Sequence, residues 1–169
     1  ASALIACWMG SGTGRAADAE PLSVLEERAM KQAVARVAPS VVRIETVGGL
    51  ERVGQMLVGT GPTTGLVVSA EGYIVSSAFN FIQKPDSILV TIDGGSRHAA
   101  KLVATDHSRM LVLLKIETET QLTVPEAVPP AEMRVGQWSL AVGRTFEPDS
   151  PNVSVGVVSA VGRIWGKAI

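Results

Sequence analysis

The sequence predicts an all-β protein with one complete small closed barrel, a second barrel that is only begun, and a short N-terminal helix. Three observations lead to this fold class. From Ser40 onward, short segments repeat their apolar residues with a period of two, which is typical of half-buried strands. Turns containing glycine separate these segments at short intervals. Only the stretch from Pro21 to Val37 repeats its apolar residues with a helical period.

The composition excludes several function classes. With 169 residues, 46% hydrophobic and 18% charged, the chain is of the globular type and long enough for one sizeable core. Its 15 basic and 16 acidic residues are spread along the sequence, so we expect no nucleic-acid partner. One cysteine, Cys7, and two histidines are too few for a disulfide framework or a multi-cysteine metal site. We therefore expect neither a metal nor a cofactor.

Residues 1–19 are interpreted as the remnant of a secretory signal. The segment Ala1 to Trp8 is apolar but too short to span a bilayer, and Ala17-Asp18-Ala19 has the A-x-A pattern of a cleavage site. Two alternatives stay open: Leu4-Ile5-Ala6-Cys7 is similar to a lipobox, and Cys7 fits a buried free cysteine. The expected location is periplasmic or otherwise extracytoplasmic, with membrane contact only if Cys7 is lipidated.

Residues 20–38 form the predicted helix. Ser23 and Glu26 fit a capping box, and Ala38-Pro39 ends the helix. One face carries the apolar residues Leu25, Ala29, Ala33 and Val37.

Residues 39–117 form the predicted first barrel. Its opening strand carries Val42, Ile44 and Thr46 on one face, and Gly48-Gly49 and Gly54 mark a loop after it. Leu66-Val67-Val68 and Tyr73-Ile74-Val75 form a hairpin through Ala70-Glu71-Gly72. The later strands contain Ile88, Val90 and Ile92, then Ala99 to Thr105 after the turn Asp93-Gly94-Gly95, and finally Leu111 to Ile116, which is apolar enough to be buried on both faces.

The chain after the first barrel divides into a linker and the start of a second barrel. Residues 118–132 are rich in Thr and Pro without an apolar period, which is typical of a linker. Strands resume in residues 133–169, with Trp138 to Val142 and Val153 to Val161. Too few strands follow to close a barrel, so we expect exposed strand edges that bind a partner, with Trp138 and Trp165 in the second core or at the partner's surface.

Several segments, taken in order, resemble one known family. They are Val37 to Val42, Gly65 to Val75, Ala100 to Asp106, Leu111 to Ile116, Val135 to Gly143 and Val155 to Arg163. Together they resemble the trypsin-like serine proteases of the HtrA/Deg type. The resemblance implies a trypsin-like double β-barrel and a serine endopeptidase ancestry, with a histidine base after the Ile74-Val75 strand and an orienting aspartate before the Leu111 to Ile116 run.

The chain departs from this family at both of these positions. Phe79 lies where the resemblance places the histidine, and Met110 lies where it places the aspartate. The serine nucleophile would lie beyond Arg163, so the chain is interpreted as degenerate and truncated before that serine, with no intact catalytic residue. Neither replacement exchanges a proton. If Phe79 and Met110 pack together, restoring histidine at position 79 should destabilise the barrel.

Other candidate residues point to no second chemistry. His98 and His107 are expected to face solvent, and Asp106-His107-Ser108 are adjacent residues that cannot align as a catalytic triad. Gly59-Thr60-Gly61 and Gly65 are assigned to the loop before the hairpin, because no lysine or helix follows as a phosphate site requires.

The expected function is that of an inactive HtrA/Deg-like homologue. It would act as a peptide-binding or scaffolding module for peptides or unfolded protein segments, through strand addition at an exposed edge. The resemblance leaves open a homo-oligomer and a following PDZ domain. The alternative is a fragment of a serine endopeptidase that works in proteolysis and protein quality control.

Overall fold

The computed structural model describes residues 20–48, 51–53, 56–58, 61–147 and 150–162. One helix, α1 (Leu22–Val37), precedes the strands. The strands are β1 (Val41–Val47), β2 (Glu51–Val53), β3 (Met56–Val58), β4 (Thr63–Ser69), β5 (Tyr73–Ser77), β6 (Ser87–Thr91), β7 (Arg97–Asp106), β8 (Leu111–Ile116), β9 (Trp138–Gly143) and β10 (Asn152–Val157). No helix in these ranges is long and apolar enough to cross a membrane.

The predicted helix is present, but the predicted capping box is not. Pro21 is the N-cap, no side chain caps the helix, and the amide of Val24 donates to Pro21 O at 2.9 Å. Because the helix begins at Leu22, Ser23 lies inside the first turn and not at the N-cap that a capping box requires. No residue of α1 is buried. The helix therefore lies on the surface of the molecule.

Six strands close into an antiparallel barrel in the order β1-β4-β5-β8-β7-β6, which confirms the predicted all-β class and the first barrel. Most of the core is made of alternate residues from these strands, and residues outside the strands complete it, namely Ala78, Phe81, Ile92 and Leu122. Its fully buried members are Val42, Ile44, Val67, Ile74, Val90, Ile92, Val112, Leu114 and Ile116.

The prediction that β8 is buried on both faces is wrong. Val112, Leu114 and Ile116 point into the core, whereas Leu111 is exposed. Only one face of a barrel strand points to the interior, so the remaining apolar residues of β8 lie on the outer face of the barrel.

Two glycines have roles that follow from close packing. Gly65 lies inside β4 and not in the preceding loop as predicted. A Cβ there would lie 2.7 Å from Ile44 Cδ1 and 2.7 Å from Ile74 Cγ2. Gly72, in the predicted hairpin turn, has φ +96°, and a Cβ would lie 2.4 Å from Ile116 O. Both positions exclude a larger residue.

The segments outside the barrel also differ in part from the predictions. The predicted loop after β1 contains the β2–β3 hairpin, and Gly49 and Gly54 lie outside the described residues. Residues 118–132 have one 3-10 turn at Pro130–Glu132 and no strand, and Leu122 is buried in the barrel core. The predicted domain boundaries stay a prediction.

The strands β9 and β10 pair only with each other within the described ranges and form an antiparallel ribbon. The β10 strand ends at Val157, earlier than predicted, because pairing with β9 ends where Val157 meets Trp138. One face of the ribbon is apolar, and the register places Trp138 beside Val157, Leu140 beside Val155 and Val142 beside Val153. The indole of Trp138 is exposed, and Trp165 lies outside the described residues.

Candidate functional site

The candidate site lies at one end of the barrel, where β5 ends and β8 begins. Ser77 pairs with Leu111 across these strands, and a 3-10 turn, Ala78–Phe81, follows β5 directly. The amide of Ala78 donates to Met110 O at 2.8 Å, and the amide of Phe79 donates to Ser77 Oγ at 3.3 Å. The fold therefore brings the backbones around positions 79 and 110 together, although the positions are distant in sequence.

The two side chains are exposed rather than buried. Phe79 is 67% exposed and Met110 is 43% exposed. Neither side chain is therefore part of the core, because the end of a barrel strand and a surface turn leave both of them facing solvent. The expectation that they pack against each other stays a prediction. A phenyl ring and a thioether have no titratable group, so neither side chain can donate or accept a proton in acid–base catalysis.

The turn before Met110 fixes its backbone. Asp106 Oδ1 accepts from the amides of Ser108 and Arg109 at 2.9 and 3.0 Å, and Asp106 Oδ2 accepts from Arg109 Nη1 at 2.8 Å. The hydrogen bond from the Arg109 guanidinium, followed by that from the Ser108 hydroxyl, holds the pKa of Asp106 well below its usual range. Met110 then adopts φ +55°, a left-handed conformation that costs free energy for a residue with a Cβ.

Asp106, His107 and Ser108 do not form a catalytic line. Ser108 Oγ donates directly to Asp106 Oδ1 at 2.8 Å, so no imidazole lies between the hydroxyl and the carboxylate. His107 is exposed, as expected. These hydrogen bonds serve the turn between β7 and β8.

His98 does not face solvent as expected. It lies on β7 opposite Val90, two residues before Ala100, which packs against the core, so the period of two turns His98 toward the same side. Its Nε2 atom is buried and has no hydrogen-bond partner among the described residues. His98 is therefore partly inside the barrel and is not placed beside Phe79 or Met110 by the strand register.

Metal-ligand groups and the glycine-rich segment add nothing to this site. In the part of the chain that the structure describes, no three His, Cys, Asp or Glu side chains converge as metal ligands. Cys7, Gly59 and Thr60 lie outside the described residues.

Two arginines that the sequence patterns do not single out join the β9–β10 ribbon to the barrel. The guanidinium of Arg144 is buried and donates to Asp93 Oδ1 and to Ala38 O. Arg43 Nη1 donates to Thr145 O and to Phe146 O, each at 2.9 Å. No local pattern marks these contacts, because the partners of each arginine come from distant parts of the sequence.

Known proteins match most of this chain. The model of the trypsin-like peptidase domain family matches residues 63–169. A protein of Pseudomonas fulva named "Probable periplasmic serine endoprotease DegP-like" is 34% identical over 128 residues, covering 76% of this chain and 25% of that protein. The protein named "Serine protease HTRA4" of Mus musculus is 31% identical over 130 residues, covering 77% of this chain and 26% of that protein.

The chain spans about a quarter of the length of these relatives. The family match covers more than half of the chain, including β4 to β10 and both candidate positions. The chain therefore belongs to the trypsin-like peptidase domain family, as a homologue of the HtrA/DegP serine endopeptidases.

Proposed function

We propose that this chain is a catalytically inactive HtrA/DegP-type module that binds extended peptides or unfolded protein segments outside the cytoplasm. The main support for an inactive state is the identity of Phe79 and Met110. These residues lie on neighbouring segments joined by a hydrogen bond, where the family resemblance places the base and its orienting acid. In the serine protease subtilisin, losing the base of the catalytic triad lowers turnover by a factor on the order of 10⁶. The word "periplasmic" in the names of several relatives supports the extracytoplasmic location.

The binding role rests on the β9–β10 ribbon. Its apolar face includes the exposed residues Trp138, Val153, Val155 and Val157. Outside their mutual pairing, β9 and β10 have no strand partner within the described ranges, so their outer edges offer backbone donors and acceptors. An extended peptide that adds as a strand uses such an edge for hydrogen bonds and such a face for its side chains.

The alternative is a working serine endopeptidase, which the names of the relatives favour. Two assays on the protein as it occurs in its cell distinguish these functions. One is covalent labelling with a fluorophosphonate probe, and the other measures binding and cleavage of an unfolded, reduced and alkylated protein. We expect no covalent labelling, no cleavage and measurable binding of the unfolded protein. Labelling together with cleavage would establish the endopeptidase instead.

Two variants on one strand test the binding surface. Val155→Asp places a charge on the apolar face of β10 and should weaken binding of the unfolded protein about tenfold or more, because the carboxylate would have to be desolvated. Ser154→Asp changes the opposite, exposed face of the same strand and is the matched control. Equal affinity of both variants and the wild type would remove the ribbon from the proposal.

A further inference from the structure

The side chain of Arg144 is 2% exposed and directly follows β9. Burying a guanidinium is costly unless charged and polar partners compensate for the lost water. The hydrogen bonds of Arg144 therefore indicate which parts of the molecule depend on it.

Arg144 joins three elements that are distant in sequence. Its Nη2 atom donates to Asp93 Oδ1 at 2.9 Å and to Ala38 O at 3.1 Å, and its amide donates to Thr64 Oγ1 at 3.0 Å. Asp93 lies in the turn between β6 and β7, Ala38 is the C-cap of α1, and Thr64 belongs to β4. Arg144, the first residue of the loop that joins β9 to β10, thus contacts the barrel at two places and the end of the helix.

The same loop is fixed from two other sides. Arg43, on β1, donates to the carbonyls of Thr145 and Phe146. The amide of Thr145 donates to Asn152 Oδ1 at 3.0 Å, which closes the loop onto the first residue of β10. These hydrogen bonds hold the residues that follow β9 against β1 and against the first residue of β10.

Both elements joined by Arg144 need support from the barrel. An isolated two-stranded ribbon is at best marginally stable in water, and α1 buries none of its own residues. We propose that the ion pair between Arg144 and Asp93 is a latch through which the β9–β10 ribbon and the C-terminal end of α1 dock together on the barrel. This inference concerns docking alone and holds whether or not the ribbon binds peptides.

Amide hydrogen exchange of the full protein tests the latch through Asp93→Asn. This substitution keeps the shape of the turn and removes the charge opposite Arg144. We expect the amides of β9, β10 and the last turn of α1 to exchange about tenfold faster, because a hydrogen bond between charged groups is replaced by a weaker one. The amides of β1 and β4 to β8 should keep their protection. Asp106→Asn is the control, since Asp106 serves only the turn before Met110 in the contacts described, and it should leave the ribbon unchanged.

A double-mutant cycle shows whether the two side chains act as a pair. With Arg144→Met as the background, Asp93→Asn should have no further effect on exchange in the ribbon. An equal effect of Asp93→Asn in both backgrounds would overturn the latch, as would unchanged exchange in the Asp93→Asn single variant. If Arg144→Met does not fold, the comparison of Asp93→Asn with Asp106→Asn decides alone.

Discussion

At the scale of single residues, two phenylalanines in one 3-10 turn have opposite surroundings. Phe79 projects into solvent, whereas Phe81 is buried in the barrel core. Phe79→His should therefore change the free energy of unfolding by no more than about 0.5 kcal/mol, the usual range for a surface substitution. Thermal or urea unfolding of the variant measures this change.

The matched control for this prediction is Phe81→His, which should destabilise the barrel by about 2 kcal/mol or more because it removes buried apolar volume and buries a polar ring. A Phe79→His variant that is as unstable as Phe81→His would mean that Phe79 does pack against the barrel.

Met110 carries a conformational strain that its side chain does not relieve. Asparagine tolerates the left-handed region better than methionine, so Met110→Asn should raise the free energy of unfolding by roughly 0.5–1 kcal/mol. Met133 is a close control, since it is 42% exposed against 43% for Met110 but has φ −73°. Met133→Asn should bring no gain, and an equal gain at both positions in urea unfolding would show that the backbone conformation is not the cause.

At the scale of elements, β4 fits into the barrel only because Gly65 has no side chain. Gly65→Ala would press a methyl group against Ile44 and Ile74 and should cost about 1–3 kcal/mol of stability, as overpacking of a tight core does. Gly61 precedes the same strand, and a Cβ there would meet nothing within 4 Å. Gly61→Ala should therefore be tolerated. The free energies of unfolding of the two variants, measured by chemical denaturation, should differ by at least about 1 kcal/mol. Similar stabilities would contradict the close packing of Gly65 against Ile44 and Ile74.

At the scale of the whole molecule, the segment between the barrel and the ribbon contributes to the barrel core. Leu122 is 8% exposed and belongs to the core cluster, while Val124, nearby in the same segment, is exposed. Leu122→Ala should cost about 2–5 kcal/mol, the range for truncating a buried leucine. Val124→Ala is the control and should have little effect. If calorimetry gave both variants the wild-type melting temperature, residues 118–132 would behave as a linker without a role in the core.

The sequence by itself determined the class of the fold and the positions of its main strands. Apolar residues at every second position, such as Val42 and Ile44 or Ile88, Val90 and Ile92, predict which residues face the core. The reason is that a strand has two faces, and only one of them is buried. The order of short motifs also determined the family, and the identities of Phe79 and Met110 can be compared with its pattern without any coordinates. The interpretation of these two positions as replacements of a base and an acid stays a prediction.

Only the tertiary structure decided which side chains meet. The exposure of Phe79, the partial burial of His98, the place of Gly65 inside β4 and the buried position of Arg144 all depend on residues far away in the sequence. Local patterns indicate the period of an element and the chemistry of its turns. They carry no information on which residues of other strands or loops an element will contact. Arg144 and Asp93 are 51 residues apart, so their pairing required the barrel to close and the ribbon to dock.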